Sequence, residues 1–160
     1  MNDRRFTSNT SLAWYATIVL TATYTFSFID RQIVNLLVEP IKADLQLSDT
    51  QISFLQGLAF VVPYLILSIP VGRLVDTVSR VKVLIGGIIF WSVACVFCGL
   101  SKTMTQLAIG RMGVGAGEAS VTPAAWSLLA DYFPEDKRGL PVSIFLMGPY
   151  LGAGMSLIIG

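Results

Sequence analysis

The chain has 160 residues, of which 54% are hydrophobic and 13% charged, with a net charge of +1. Ordinary globular proteins carry about 25% charged residues, and a mean hydropathy of +0.69 leaves too little polar surface to cover a water-soluble core. The balanced charge excludes a global basic field for nucleic acid, and the absence of histidine leaves any proton handling to carboxylates.

An integral membrane protein is implied, and five segments approach the roughly 20 apolar residues that a span requires. The first covers residues 11–37 and is longer than a bare span. Arg4 and Arg5 precede it, so a secretory signal peptide competes with this reading. The apolar run is too long for that, and more spans follow. A polar stripe of Thr23, Tyr24, Ser27, Asp30 and Gln32 to Asn35 runs along it. Tyr24 and Ser27 fit a buried core and a cavity lining equally well. A connection from Pro40 to Asp49 is expected next, then a second span over 50–72 behind the capping box Ser48-x-x-Gln51. Asn35 and Gln56 are further candidates to line a cavity.

The third span covers 81–100 and contains Cys95 and Cys98 as C-x-x-C. Redox or zinc chemistry needs polar flanks or further ligands. The neighbours here are apolar, so packing is the expected role, with no metal site and no cofactor. The fourth span covers 105–133 and the fifth 139–160. The remaining connections are short: Gly72 to Arg80, Ser101 to Thr103 and Pro134 to Arg138. Pro63, Pro70, Pro123 and Pro149 can bend the spans where neighbours satisfy the freed backbone groups. No linker marks a second domain. The ending in SLIIG reads as a fragment of something longer, an N-terminal bundle awaiting a C-terminal half.

The cations set an expected orientation. Arg4, Arg5, Arg73, Arg80, Lys82, Lys137 and Arg138 fall on one side, against Lys42 and Lys102 on the other. Positive charge collects inside, which puts the N-terminus in the cytoplasm of a cell whose inner membrane holds the chain. Trp14, Tyr15, Tyr132 and Phe133 then belong to the cytoplasmic aromatic belt.

Four ionisable residues stay within the spans: Asp30, Arg31, Arg111 and Glu118. Each costs about 2.5–3.5 kcal/mol at mid-bilayer and is a functional candidate by default. A structural ion pair that fixes helix order is the competing reading. At 3.6 residues per turn, Arg111, Gly115, Glu118 and Thr122 share one face of the fourth helix. Counting about 1.5 Å per residue, Arg111 lies roughly 10 Å and Glu118 roughly 20 Å below the outer end, with Asp30 roughly 15 Å deep on the first helix. If the helices are neighbours, Arg111 pairs with one carboxylate at a time, and the spare carboxylate can carry a proton. Arg31, turned about 100° from Asp30, faces another helix or reaches outward. Gly113 with Gly117, and Gly115 with Ala119, are small-x-x-x-small pairs that admit close helix packing. A nucleotide loop is excluded, because G-x-G-x-x-G spacing is not met and no strand precedes it.

These residues carry a resemblance. The loop GRLVDTVSRVKV resembles the signature of the major facilitator superfamily, G-x-L-x-D-basic-x-G-basic-basic, through Gly72, Leu74, Asp76 and Arg80. Thr77, Ser79 and Val81 depart from it. The resemblance implies an all-α bundle, with five of twelve expected membrane helices present, and a cytoplasmic gate at Gly72, Asp76 and Arg80. A solvated, topology-setting loop is the alternative for those three. Three stretches, FIDRQIVNLLVEPIKADLQLSDTQ, RMGVGAGEAS and DYFPEDKRG, are together similar to the Spinster-type lysolipid and sphingolipid transporters and their bacterial relatives. That resemblance implies that Asp30, Arg111 and Glu118 line the central cavity. The segment GEASVTPAAWSLLADYFP is also similar to organic anion:cation symporters, and MGPYLGAG weakly resembles the antiporter motif.

The expected function is secondary active transport of a small amphipathic or lipid-like organic substrate, coupled to protons, by alternating access. An organic anion:cation symporter and a non-transporting membrane scaffold are the alternatives. An enzyme is not expected, since no His/Glu metal set or Ser/His couple is available.

Overall fold

A computed structural model describes residues 10–159; Arg4 and Arg5 lie outside the described residues. These form eight α-helices and one 3-10 turn: α1 (Thr10–Leu36), α2 (Val38–Leu45), α3 (Asp49–Gln56), α4 (Leu58–Thr77), α5 (Arg80–Gly99), α6 (Met104–Glu118), α7 (Val121–Tyr132), the turn Glu135–Lys137 and α8 (Gly139–Ile159). Four helical stretches are long and apolar enough to cross a membrane: Thr10–Leu36, Asp49–Thr77, Arg80–Gly99 and Gly139–Ile158. Their outward faces are greasy, with Ile18, Ile66, Ile69 and Val93 each more than 60% exposed. In a bilayer those faces meet lipid, because only structures with internally paired backbones can span it.

The expected fourth span is not one helix. It is α6 and α7, joined through Ala119 and Ser120, and neither half is long enough to cross alone. Both joining residues keep right-handed helical dihedrals, so the path bends rather than loops. Pro123 has no N–H to give the Ala119 carbonyl, which breaks the hydrogen-bond ladder at that step. Ser120 turns its hydroxyl onto Gly117 O at 2.9 Å instead. This bent pair holds the interior, with Val114, Val121, Ala124, Ala125 and Leu129 each at most 1% exposed. α4 and α5 pack on α6, α5 and α4 also reach α7, and α1 lies along α8.

Two expected connections are largely helical. Between Pro40 and Asp49 the chain forms α2, whose Val38, Ile41 and Leu45 pack against Leu47, Ile52, Leu55 and Leu107. That apolar stripe, at i, i+3 and i+7, stabilises a helix where turn-forming residues suggested a loop. Pro40 cannot donate to the Leu36 carbonyl, which places the break from α1 at Leu37. α2 ends at Gln46 with φ of 51°, and Lys42 pairs with Asp49 across the turn. The Asp49 hydrogen bond and charge hold the Lys42 ammonium above its usual range. The capping box forms as expected: Ser48 Oγ accepts from Gln51 N at 3.3 Å and Gln51 Oε1 from Ser48 N at 2.9 Å. The second correction is Gly72 to Thr77, which continues α4 and leaves only Val78 and Ser79 as the turn into α5.

Candidate functional site

The polar centre of the bundle is built from α1, α4 and α6. Glu118, at the last turn of α6, is 1% exposed. Its Oε2 accepts three hydrogen bonds from α1: Ser27 Oγ at 2.6 Å, Arg31 Nε at 2.8 Å and Arg31 NH2 at 2.5 Å. Ser27 and Arg31 are one helical turn apart and therefore face the same way. Bonds to an ionised acceptor are about twice as strong as neutral ones, so this is the firmest polar tie between α1 and α6.

Arg111 stands where expected, on the same face of α6 and 4% exposed, but it does not pair with an acid. Among the described residues it enters no ion pair, and its Nε has no hydrogen-bond partner. Its guanidinium meets Phe60 of α4 instead. The Arg111 guanidinium lies 5.0 Å from the Phe60 ring centre, and the Arg31 guanidinium lies 4.6 Å from the same ring. Gly115 makes this possible, since a Cβ there would come within 2.4 Å of the Phe60 carbonyl oxygen. The small residue between Arg111 and Glu118 thus lets α4 press its ring against both cations. Phe28 at 4.9 Å and Tyr64 at 5.4 Å complete an aromatic cage around Arg31. Such contacts contribute about 0.5–2 kcal/mol each, most where water is excluded.

Asp30 is a second correction. It does not approach Arg111; it points to α5, where Oδ2 accepts from Trp91 Nε1 at 2.6 Å and from Cys95 Sγ at 3.4 Å. It lines a cavity of about 340 Å³ with Thr23, Phe26, Ile88, Trp91, Ser92 and Cys95. The roughly 100° between neighbouring helix residues sends Asp30 to α5 and Arg31 to Glu118.

The other expected lining residues divide. Tyr24 stacks on Phe145 of α8 at 4.8 Å, with Thr122 beside its hydroxyl. Ser27 binds Glu118, as described. Asn35 and Gln56 meet near the breaks in α1 and α3–α4, through Gln56 Nε2 donating to Asn35 Oδ1 at 3.0 Å. Arg31, expected to face another helix or reach outward, faces α6, and its pairing with Glu118 was not foreseen. Its spacing from Ser27 and Tyr24 along one face of α1 was the available signal.

At the opposite end, Arg80 of α5 forms an ion pair with Asp131 of α7, while Asp76 is exposed and joins no ion pair among the described residues. Gly72 lies within α4, with open space where a Cβ would stand. Arg138 closes the last turn of α7, donating to Ala130 O at 2.6 Å and Phe133 O at 2.7 Å. Trp14 meets Phe133 edge-on at 5.5 Å, so two of the four belt aromatics gather at this end.

A bundle of this shape, with charges buried between its first and fourth spans, agrees with its relatives. The sequence model of the Major Facilitator Superfamily matches residues 20–160. The chain belongs to the major facilitator superfamily. It is 35% identical over 148 residues to an MFS-type efflux pump of Mycolicibacterium smegmatis, covering 92% of this chain and 34% of that protein. It is 30% identical over 130 residues to a probable L-galactonate transporter of Escherichia coli K12, covering 81% of this chain and 28% of that protein. A crystal structure of a bacterial homologue of the human lysosomal transporter Spinster, inward-facing and unoccupied, superposes with a TM-score of 0.89 at 35% identity, covering 93% of this chain and 31% of that one. These likenesses put the chain in the Spinster-like group of the superfamily, among transporters rather than enzymes, as a multi-pass membrane protein. It spans about a third of the length of these relatives.

Proposed function

We propose that this chain is the N-terminal bundle of a proton-coupled secondary transporter for a small amphipathic, lipid-like organic substrate, working by alternating access with its missing C-terminal half. The observation that carries the reading is the buried Arg31–Glu118 pair beside a buried Arg111 that has no anionic partner. Both guanidiniums lie on Phe60, Arg31 is matched by Glu118 and Asp30 is held by Trp91, so Arg111 stands as a cation without an acid partner among the described residues. That unpaired cation suits a substrate with a singly charged anionic head, whose apolar part lies against Phe28, Phe60 and Tyr64. A proton on Glu118 releases Arg31 from its partner, and a ligand or proton shifts two conformations only by its differential affinity for them. Asp30 is the second proton-accepting carboxylate, and Arg80 with Asp131 and Asp76 forms the cytoplasmic gate. The inward-facing state of the Spinster homologue supports alternating access. The cation asymmetry supports an inner membrane location with the N-terminus in the cytoplasm.

The galactonate-transporter relative favours one second reading, an organic anion symporter. The full-length protein in proteoliposomes decides between them, with NBD-labelled lysophosphatidate and radiolabelled galactonate as probes. Gradient-driven movement of the lipid probe, abolished by a protonophore, is expected. Movement of galactonate alone selects the second reading, and movement of neither under a proton gradient contradicts the proposal.

A further inference from the structure

α5 and α6 touch backbone to backbone. A Cβ on Gly117 would lie 2.7 Å from both Trp91 Cβ and Trp91 N, and 2.9 Å from Gly87 O. No side chain fits between the helices there, so α5 and α6 pack as one block. Trp91 is 5% exposed and sits at this contact, beside the residue that precedes Glu118. Its indole N–H reaches α1 and donates to Asp30 Oδ2 at 2.6 Å. Two polar ties therefore hold α1 to the α5–α6 block, from neighbouring positions on α1. Arg31 with Ser27 grips Glu118, and Asp30 grips Trp91.

Other groups do not replace Trp91 in this tie. Around Asp30 the charged or titratable side chains are Arg31 on its own helix, Cys95 and Cys98 on α5, and Glu118 on α6. Of these only Cys95 contacts it, through a weak thiol donor at 3.4 Å. α7 carries Asp131 and Tyr132 at its far end, and the titratable side chain of α8, Tyr150, is 80% exposed.

We infer that Trp91 is the positioning residue that fixes Asp30 relative to Glu118, and that its indole N–H sets the proton occupancy at which α1 separates from the α5–α6 block. This rests on the proton-coupling reading above. An ionised carboxylate holds the indole about twice as strongly as a neutral one, so a proton on Asp30 loosens one of the two ties. Replacing the indole N–H removes the preference for the ionised acid.

The test needs no substrate. In the full-length protein, the infrared carbonyl stretch of protonated carboxyl groups is followed against pH in wild type, and Asp30→Asn identifies the Asp30 band. Trp91→Phe, and replacement of Trp91 by benzothienylalanine, which keeps the indole's shape without its N–H, are then compared. The expected result is that the pH dependence of the band departs from wild type in both variants. If Asp30 shows no titrating band, the proton reading of Asp30 falls and this inference falls with it. If the band titrates at an unchanged pH in both variants, the proton reading stands and Trp91 is not its positioning residue. A shift with phenylalanine but not with benzothienylalanine also overturns the inference, because packing rather than the hydrogen bond is then responsible.

Discussion

Arg31→Ala is the substitution with the clearest energetic consequence. It removes two of the three hydrogen bonds that reach Glu118 Oε2 and leaves Ser27 as the remaining donor. The carboxylate side chain is 0% exposed and the Arg31 side chain 26% exposed, so little water replaces what is lost. Removing one partner of a buried pair costs about 3–5 kcal/mol. Partial exposure of Arg31 puts the expected cost near the lower end, about 3 kcal/mol, with the cation–ring contacts to Phe28, Phe60 and Tyr64 included. Glu118→Gln in the same chain removes the stranded charge, so the double variant recovers part of the loss. The assay is the thermal midpoint of the purified full-length protein in a double-mutant cycle, with Arg111→Ala as the comparison. Arg111 has no acidic partner to strand, so its loss costs less than that of Arg31. If Arg31→Ala and Glu118→Gln are additive, or Arg111→Ala is the more destabilising, the pairing described here is refuted.

Three further outcomes follow from the packing. Gly117→Ala forces α5 from α6 and should destabilise by about 1–3 kcal/mol. Gly86→Ala, which meets open space, should leave the thermal midpoint unchanged. Breaking the Arg80–Asp131 pair by Asp131→Asn should cost at most about 1 kcal/mol, since both side chains are about a third exposed. It should still raise cytoplasmic labelling of a cavity cysteine, and Asp76→Asn should do so less; equal labelling in all three proteins would return these residues to a topology-setting turn. In a Cys95→Ala/Cys98→Ala background, single cysteines at positions 40–49 and 101–103 should label from outside and those at 134–138 from inside. The reverse pattern would invert the orientation.

Much of the bundle was legible because membrane helices announce themselves by length and composition. The C-terminal end of α1, both ends of α5 and the start of α8 fall within a residue of the expected bounds, and the Ser48–Gln51 box gave the start of α3. The break at Ala119–Ser120 needed Pro123 to be read as a missing donor four residues back, not simply as a bend. α2 was hidden because Pro40, Lys42 and Asp44 looked like turn chemistry, while its apolar stripe is only three residues deep. In the site, the buried charges were found but their partners were not. Sharing a face of α6 suggested that Arg111 and Glu118 act together, yet the approach of Phe60 over Gly115 is a tertiary fact. Adjacent positions on α1 point to different neighbours, and only the placement of α5 and α6 decides which of Asp30 and Arg31 meets Glu118.

The claim that these buried charges couple protons to transport is tested most directly by Glu118→Gln. Its transport of NBD-labelled lysophosphatidate is measured in proteoliposomes of the full-length protein, with and without an imposed pH gradient, beside the thermal midpoint. The expected result is a folded protein whose gradient-driven transport is lost. Normal transport with an unchanged pH dependence would contradict it and leave the Arg31–Glu118 pair a structural tie.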